Sequence, residues 1–207
     1  RKGGAQPGDV LILTNRLGTG LLVSGRRQGR ASEADFAAAV DQMRTLNRAA
    51  SQVLVAAGVR SATDVTGFGL LGHGLEMARA SGVRLVFDGA SLPALDGALD
   101  LARAGVETDG AVHNRRFVAP ALTLGDGLPP ELVTLAHDPQ TSGGLLAAVP
   151  PGLVAPVETA VRGKIPVIII DSALESKAPV SFIATDNREG GRIAARFRFA
   201  EQKGACI

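Results

Sequence analysis

Four glycines in eight residues, Gly67, Gly69, Gly72 and Gly74, stand where the segment ATDVTGFGLLGH (residues 62–73) runs into an apolar helical pattern. A glycine inside a helix costs about 1 kcal/mol relative to alanine. A fold that accepts four of them must gain from a backbone that comes unusually close to something else. The spacing predicts Thr66 as the N-cap, Gly67 and Gly69 in the first turn, and Phe68, Leu71, Leu75 and Ala78 on one helical face, with Gly82 as the stop. A helix start presents unpaired N–H groups and a positive dipole end, and glycine lets that surface reach a phosphate. Asp64, just ahead, adds a hard carboxylate oxygen of the kind Mg²⁺ prefers. The same residues also fit a plainer reading, in which Asp64 caps a tight turn and the glycines serve only packing.

A second constellation is DPQTSGGLLAAVP, residues 138–150. Asp-Pro starts a turn, Thr141 and Ser142 offer hydroxyls, and Gly143 and Gly144 can turn successive N–H groups inward as a small anion site ahead of a strand. A tight turn entering a core strand is again the plainer alternative.

Around these segments the pattern alternates. GDVLILT (residues 8–14) reads as a strand, and the run from Ser32 to Gly58 as one long helix with Ser32 and Asp35 as a capping pair. VRLVFD reads as a strand, LPALDGALDLARAG as a helix, residues 106–130 as mostly loop, ELVTLAHD as a short helix and GGLLAAVP as a strand. The units are too unequal for a doubly wound parallel sheet, so the expected fold class is α+β, a mixed α/β sandwich.

Composition narrows the function classes. Aromatic residues make up 3% of the chain, with no Trp or Tyr, so the core must be aliphatic and any base-stacking surface thin. Residues 1–162 balance 15 Lys+Arg against 15 Asp+Glu, whereas residues 163–207 hold 7 against 5, so the net charge of +2 belongs to the tail. No nucleic-acid partner is expected. No apolar run approaches a membrane span, so no membrane partner is expected either. Cys206 is the lone cysteine and cannot close an internal disulfide, which points to a cytoplasmic setting. His73 is expected to be a hydrogen-bonded structural residue. His113 and His137 lack a second ligand at zinc spacing, and the pairs Arg26-Arg27 and Arg115-Arg116 read as solvated surface.

ATDVTGFGLLGH and DPQTSGGLL, together with PGDVLILTNRLGTG, MRTLNRAAS and HNRRF, resemble selenophosphate synthetase (selenide, water dikinase). The likeness is to its C-terminal domain, which is similar to that of the aminoimidazole ribonucleotide synthetase superfamily, and it covers about residues 1–162. It implies a phosphotransferase of selenium metabolism and selenocysteine biosynthesis, which makes selenophosphate, AMP and orthophosphate from ATP, selenide and water. It also implies Mg²⁺ as cofactor, with Asp64 matching a metal-binding aspartate, and Thr66, Gly67, Gly69, Thr141, Ser142, Gly143 and Gly144 on the nucleotide and phosphate side. A homodimer is implied for the full-length protein. In that family the reactive Cys or selenocysteine, its Lys and most nucleotide ligands lie in an N-terminal domain that would precede Arg1, so the chain is expected to be a fragment, inactive alone. Asn15 stands where the family usually has Lys, with Arg16 as a possible replacement, and Asn114 matches a family position.

From about Gly163 the pattern changes. Residues 163–195 resemble a fragment of a type I periplasmic sugar-binding protein, with a strand ending at Asp171, then a second strand and ATDNREGG opening a helix. The expected division is therefore 1–162 and an atypical tail, 163–207, which supplies a surrogate strand or a loosely attached segment. A sugar-binding sensor module using Asp171, and a non-catalytic scaffold domain, are the alternative functions.

Overall fold

The computed structural model describes residues 1–162, 168–170 and 196–199. Its centre is a strand that needs no alternation. β1, Val10–Leu13, reads VLIL because both of its faces are covered. β1 pairs antiparallel with β5, Leu145–Val149, in the register Val10↔Val149 to Leu13↔Leu146. β5 pairs antiparallel with β2, Ser61–Asp64, so that Asp64 lies opposite Leu145. β6, Ile168–Ile170, takes the other side of β1 and gives the order β2-β5-β1-β6.

Strand periodicity divides this sheet between two apolar clusters. Leu11, Leu13, Leu146 and Ala148 join the larger cluster, where they meet α1, Thr19–Arg27, and α4, Gly69–Ser81. α5, Ala98–Arg103, and α7, Pro130–His137, extend that layer. Ile12, Ala147 and Val149 point the other way, onto Ala50 and Leu54 of α3, Arg48–Ala56, and Val157 of α8, Pro151–Arg162. The expected mixed α/β sandwich is thus observed, as a sheet between two helical layers. A second sheet has the order β3-β7-β4, with β7, Arg196–Phe199, antiparallel to both β3, Val86–Asp88, and β4, Leu122–Leu124. The tail therefore contributes a strand to each sheet. The expected second tail strand, the ATDNREGG helix, Asp171 and Cys206 lie outside the described residues.

Several elements differ from expectation. The long helix from Ser32 to Gly58 is two helices, α2, Glu33–Arg44, and α3. Ser32 does cap the first, accepting from the Asp35 amide at 3.0 Å. Thr45 then turns extended, Asn47 is drawn to the Gly143 carbonyl at 2.8 Å, and Leu46 is left 72% exposed. Residues 109–118, expected as loop, form α6, Asp109–Val118, capped by Thr108 on the Ala111 amide at 3.2 Å. Its buried face is Ala111, Asn114 and Val118, a helical spacing hidden because its middle member is polar. Ser61–Asp64 is too polar to read as a strand, yet it pairs along its whole length with β5.

Candidate functional site

The two glycine-rich segments meet at the end of β2. The Val65 amide donates to the Gly144 carbonyl at 2.8 Å, and the Gln140 amide to the Thr66 carbonyl at 3.0 Å. This junction sets Asp64, Thr66 and the loop of residues 138–144 side by side, where Asp64, Gly67, Thr141 and Ser142 are exposed. Thr66 is not the N-cap of α4. The helix starts at Gly69 after Phe68, with no side-chain cap, because Thr66 uses its carbonyl to hold Gly69 and Gln140 and its hydroxyl elsewhere. That hydroxyl lies 3.3 Å from Asp64 Oδ2 and 3.0 Å from His73 Nε2. Thr63 Oγ1 stands 3.4 Å from Asp64 Oδ1. Phe68 does not share the burial of Leu71, Leu75 and Ala78. It is 48% exposed and stacks on Phe117 with ring centroids 5.6 Å apart.

The glycines are placed by close approach. Gly69 has φ +68°, a region that side chains other than glycine adopt at a cost of about 1–2 kcal/mol. A Cβ on it would also lie 2.9 Å from the His137 carbonyl oxygen. At Gly143 a Cβ would lie 2.0 Å from the Val65 carbonyl oxygen, so the loop can press against the end of β2 only without a side chain. Gly143 and Gly144 are buried within this contact, whereas Thr141 and Ser142 form its open rim. Ser142 is the non-glycine residue with positive φ, +52°, among the described residues.

Buried polar side chains hold the junction rigid, and sequence reasoning passed over most of them. Asn114, 3% exposed, donates from Nδ2 to the Gly67 carbonyl at 3.0 Å and the His137 carbonyl at 2.9 Å, pinning the glycine loop to the end of α7. Gln140 Oε1 accepts from the amides of Gly18 and Thr19 and from the Thr19 hydroxyl at 3.0–3.2 Å. Asp138 Oδ2 accepts from the amides of Gly20 at 3.0 Å and Leu21 at 3.2 Å. The N-terminus of α1 is therefore filled from within by the 138–144 loop. Only the Asp-Pro turn hinted at this in sequence, since the partners lie about 120 positions apart.

Burial governs the electrostatics here. It raises the Asp138 carboxyl to about 7, against the Leu21, Gln140 and Gly20 hydrogen bonds that favour its ionised form, and Oδ1 has no partner. Burial lowers His137 to about 4; its Nδ1 faces the Val133 carbonyl at 2.6 Å. His73, 5% exposed, is lowered by burial although Asp64 and Glu76 pull it up. His113 faces the Asp109 carbonyl on its own helix. Arg16 reaches Asp96 at 3.2 Å, and Asn15 is buried beside Gly144, so the two positions play separate parts. Arg26 pairs with Glu33, and Arg115 with Glu107 at 2.7 Å.

A hard cation fits Asp64 in part. The carboxylate is exposed, carries two oxygens and has hydroxyls beside it, all donors suited to Mg²⁺. Among the described residues no group of three His, Cys, Asp or Glu could hold a metal ion. Among the described residues no helix is long and apolar enough to cross a membrane.

This architecture and its motifs have relatives. The chain is 41% identical, over 145 residues, to a selenide, water dikinase of Caldanaerobacter subterraneus subsp. tengcongensis, a match spanning 70% of this chain and 42% of the relative. A second, from Porphyromonas gingivalis (strain ATCC 33277), is 43% identical over 146 residues, 70% of this chain and 41% of the relative. The chain thus spans about two-fifths of the length of these curated relatives. The fold is shared with the crystal structure of thiamine-monophosphate kinase from Stenotrophomonas maltophilia K279a, with TM-score 0.54 and 18% identity over 84% of this chain and 51% of that one. It is shared too with hydrogenase maturation protein HypE in complex with ATP, with TM-score 0.51 and 18% identity over 85% and 45% of the two chains. The AIR synthase related protein, C-terminal domain family matches residues 6–168, four-fifths of the sequence and the whole of the junction just described, and the chain belongs to that family.

Proposed function

We propose that this chain is the C-terminal domain of an ATP-dependent selenide, water dikinase, which converts ATP, selenide and water to selenophosphate, AMP and phosphate. The observation that carries the reading is the hydrogen-bonded junction of ATDVTGFGLLGH with DPQTSGGLL, which presents Asp64 and the 138–144 rim together. About 40% identity to curated selenide, water dikinases supports the same reading, as does ATP in the related fold of HypE. A cytoplasmic setting goes with it, supported by the lone cysteine.

In this reading Asp64 supplies one carboxylate oxygen to Mg²⁺, and the Thr141-Ser142 rim and the Gly67 backbone face the phosphates. Mg²⁺ bound there would neutralise phosphate charge as it develops during transfer. The chain's own part is positional: Asn114 and Asn47 fix the two loops, and Gly69 and Gly143 let them close on each other. The remaining ligands and the selenium-handling thiol or selenol come from sequence beyond the matched two-fifths, and residues 163–207 are a segment distinct from the 1–162 domain. The sugar-binding alternative rests on Asp171, which lies outside the described residues.

The test is Asp64→Asn in the full-length protein. Selenide-dependent AMP formation should fall at least about tenfold at fixed Mg²⁺, with partial recovery as Mg²⁺ is raised, as expected when one charged ligand of a shared site is lost. Unchanged Mg²⁺ dependence would favour a non-catalytic scaffold. The isolated 207-residue chain should not turn over ATP with selenide, and turnover by it would refute the division of labour.

A further inference from the structure

The Thr66 hydroxyl has one proton and two acceptors within reach, Asp64 Oδ2 at 3.3 Å and His73 Nε2 at 3.0 Å. Which one receives it depends on where the imidazole carries its own proton. His73 sits in the middle of α4, a helix buried on almost every side, with its ring tilted against Phe68 at 5.5 Å. Its Nδ1 is buried and lies 3.3 Å from Glu76 Oε2, close enough for charge attraction but without full hydrogen-bond geometry. Glu76 Oε2 is anchored in turn by Lys2 Nζ at 2.7 Å. The charged groups around the ring are therefore Asp64 on one side and Glu76 with Lys2 on the other.

We infer that Glu76 and His73 are positioning residues that keep the Thr66 hydroxyl turned away from Asp64, so that Asp64 Oδ2 stays open to a cation. The Glu76 carboxylate, 3.3 Å from Nδ1, favours a proton there. A neutral ring with that proton presents a lone pair at Nε2, and the Thr66 hydroxyl donates to it. Asp64 Oδ2 then faces the hydroxyl oxygen and is not tied up by its proton. Were the ring proton on Nε2 instead, His73 would donate to Thr66 and Thr66 to Asp64, and a cation would have to displace that last hydrogen bond. The relay makes sense of three features at once: a polar ring buried in a helix centre, a threonine that gives up helix capping, and a carboxylate pair, Asp64 and Glu76, on opposite sides of one imidazole. Its purpose as cation control rests on the functional reading above; the relay itself does not.

Two measurements on the full-length protein test it. Nitrogen-15 NMR of labelled histidine near pH 8 should show His73 protonated at Nδ1, and Glu76→Ala should move the proton to Nε2. A proton on Nε2 in the unaltered protein, or the same tautomer in both proteins, would overturn the inference. In Mg²⁺ titrations Glu76→Ala should weaken binding about five- to tenfold, the equivalent of the one hydrogen bond that a cation must then break. The effect should vanish when Thr66→Val has removed the hydroxyl, and Thr66→Ser should restore it. Equal weakening with and without the hydroxyl would show that Glu76 acts only as a distant charge, and would overturn the relay. If Asp64→Asn leaves Mg²⁺ affinity unchanged, the functional reading falls, and the tautomer measurement still decides the relay.

Discussion

Removing the charge from Asp138 should change how stability responds to pH, by an amount the geometry bounds. The carboxyl is fully buried, with three donors on Oδ2 and none on Oδ1, and its pKa rises from 3.8 to about 7 because burial outweighs those donors. Below about pH 4 both folded and unfolded chains hold the proton, and the full stability is present. Between about 4 and 7 only the folded chain holds it, so stability falls by up to about 1.4 kcal/mol per pH unit. Above 7 both forms are ionised and the loss levels off near 4 kcal/mol, an order-of-magnitude ceiling. His137 works the opposite way. Its pKa is lowered from 6.5 to about 4, so its contribution is present above about 6.5 and is lost as pH falls toward 4. The two neighbours therefore largely cancel between about pH 4 and 6.5, and a single profile of the unaltered chain would conceal both.

The difference between the chain and Asp138→Asn isolates the carboxyl. Asparagine keeps an acceptor for the Gly20 and Leu21 amides and cannot ionise. Urea unfolding at constant ionic strength, at half-unit steps from pH 4 to 8, should show the variant gaining about 3–4 kcal/mol on the parent across that range, with most of the gain complete by pH 7.5. The carboxyl carbon shift of Asp138 should titrate near 7 in the folded chain. A stability difference constant to within about 1 kcal/mol over the whole range, or a carboxyl that titrates near 4, would refute the reasoning and show that the α1 amides hold the carboxylate ionised despite burial.

Three further outcomes follow from the junction. Gly69→Ala places a side chain at φ +68° and against the His137 carbonyl, so it should cost about 2–4 kcal/mol in thermal or urea unfolding, far above a surface substitution. Asn114→Leu leaves the Gly67 and His137 carbonyls without their buried donor and should destabilise by about 2–4 kcal/mol, with faster amide exchange at residues 66–69 as the local signature. Ser32→Ala removes the cap of α2 and should cost about 1 kcal/mol without altering any property of the Asp64 region.

Much of this chain is written locally. The β1 and β5 strands, the start of α2 at Ser32 and the stop at Gly82 follow from short-range pattern and capping chemistry, which act within a few residues and so can be read from them. The two glycine motifs identify the family and single out Asp64 before any coordinates. What the pattern could not supply was decided by partners distant in sequence. Ser61–Asp64 is a strand because β5 offers it a ladder, and the long helix breaks at residues 45–47 where Asn47 finds the Gly143 carbonyl, 96 positions away. Thr66 does not cap α4, which starts only at Gly69, because its carbonyl is held by the Gly69 and Gln140 amides, and Asn114 turns a loop-like segment into a helix whose polar middle residue is buried. Sequence alone singled out Asp64 and the glycine-rich loops as the candidate site, through local spacing, residue type and family resemblance. Tertiary structure alone decided how they are held, because a buried hydrogen bond is fixed by the need to satisfy both partners wherever along the chain they lie.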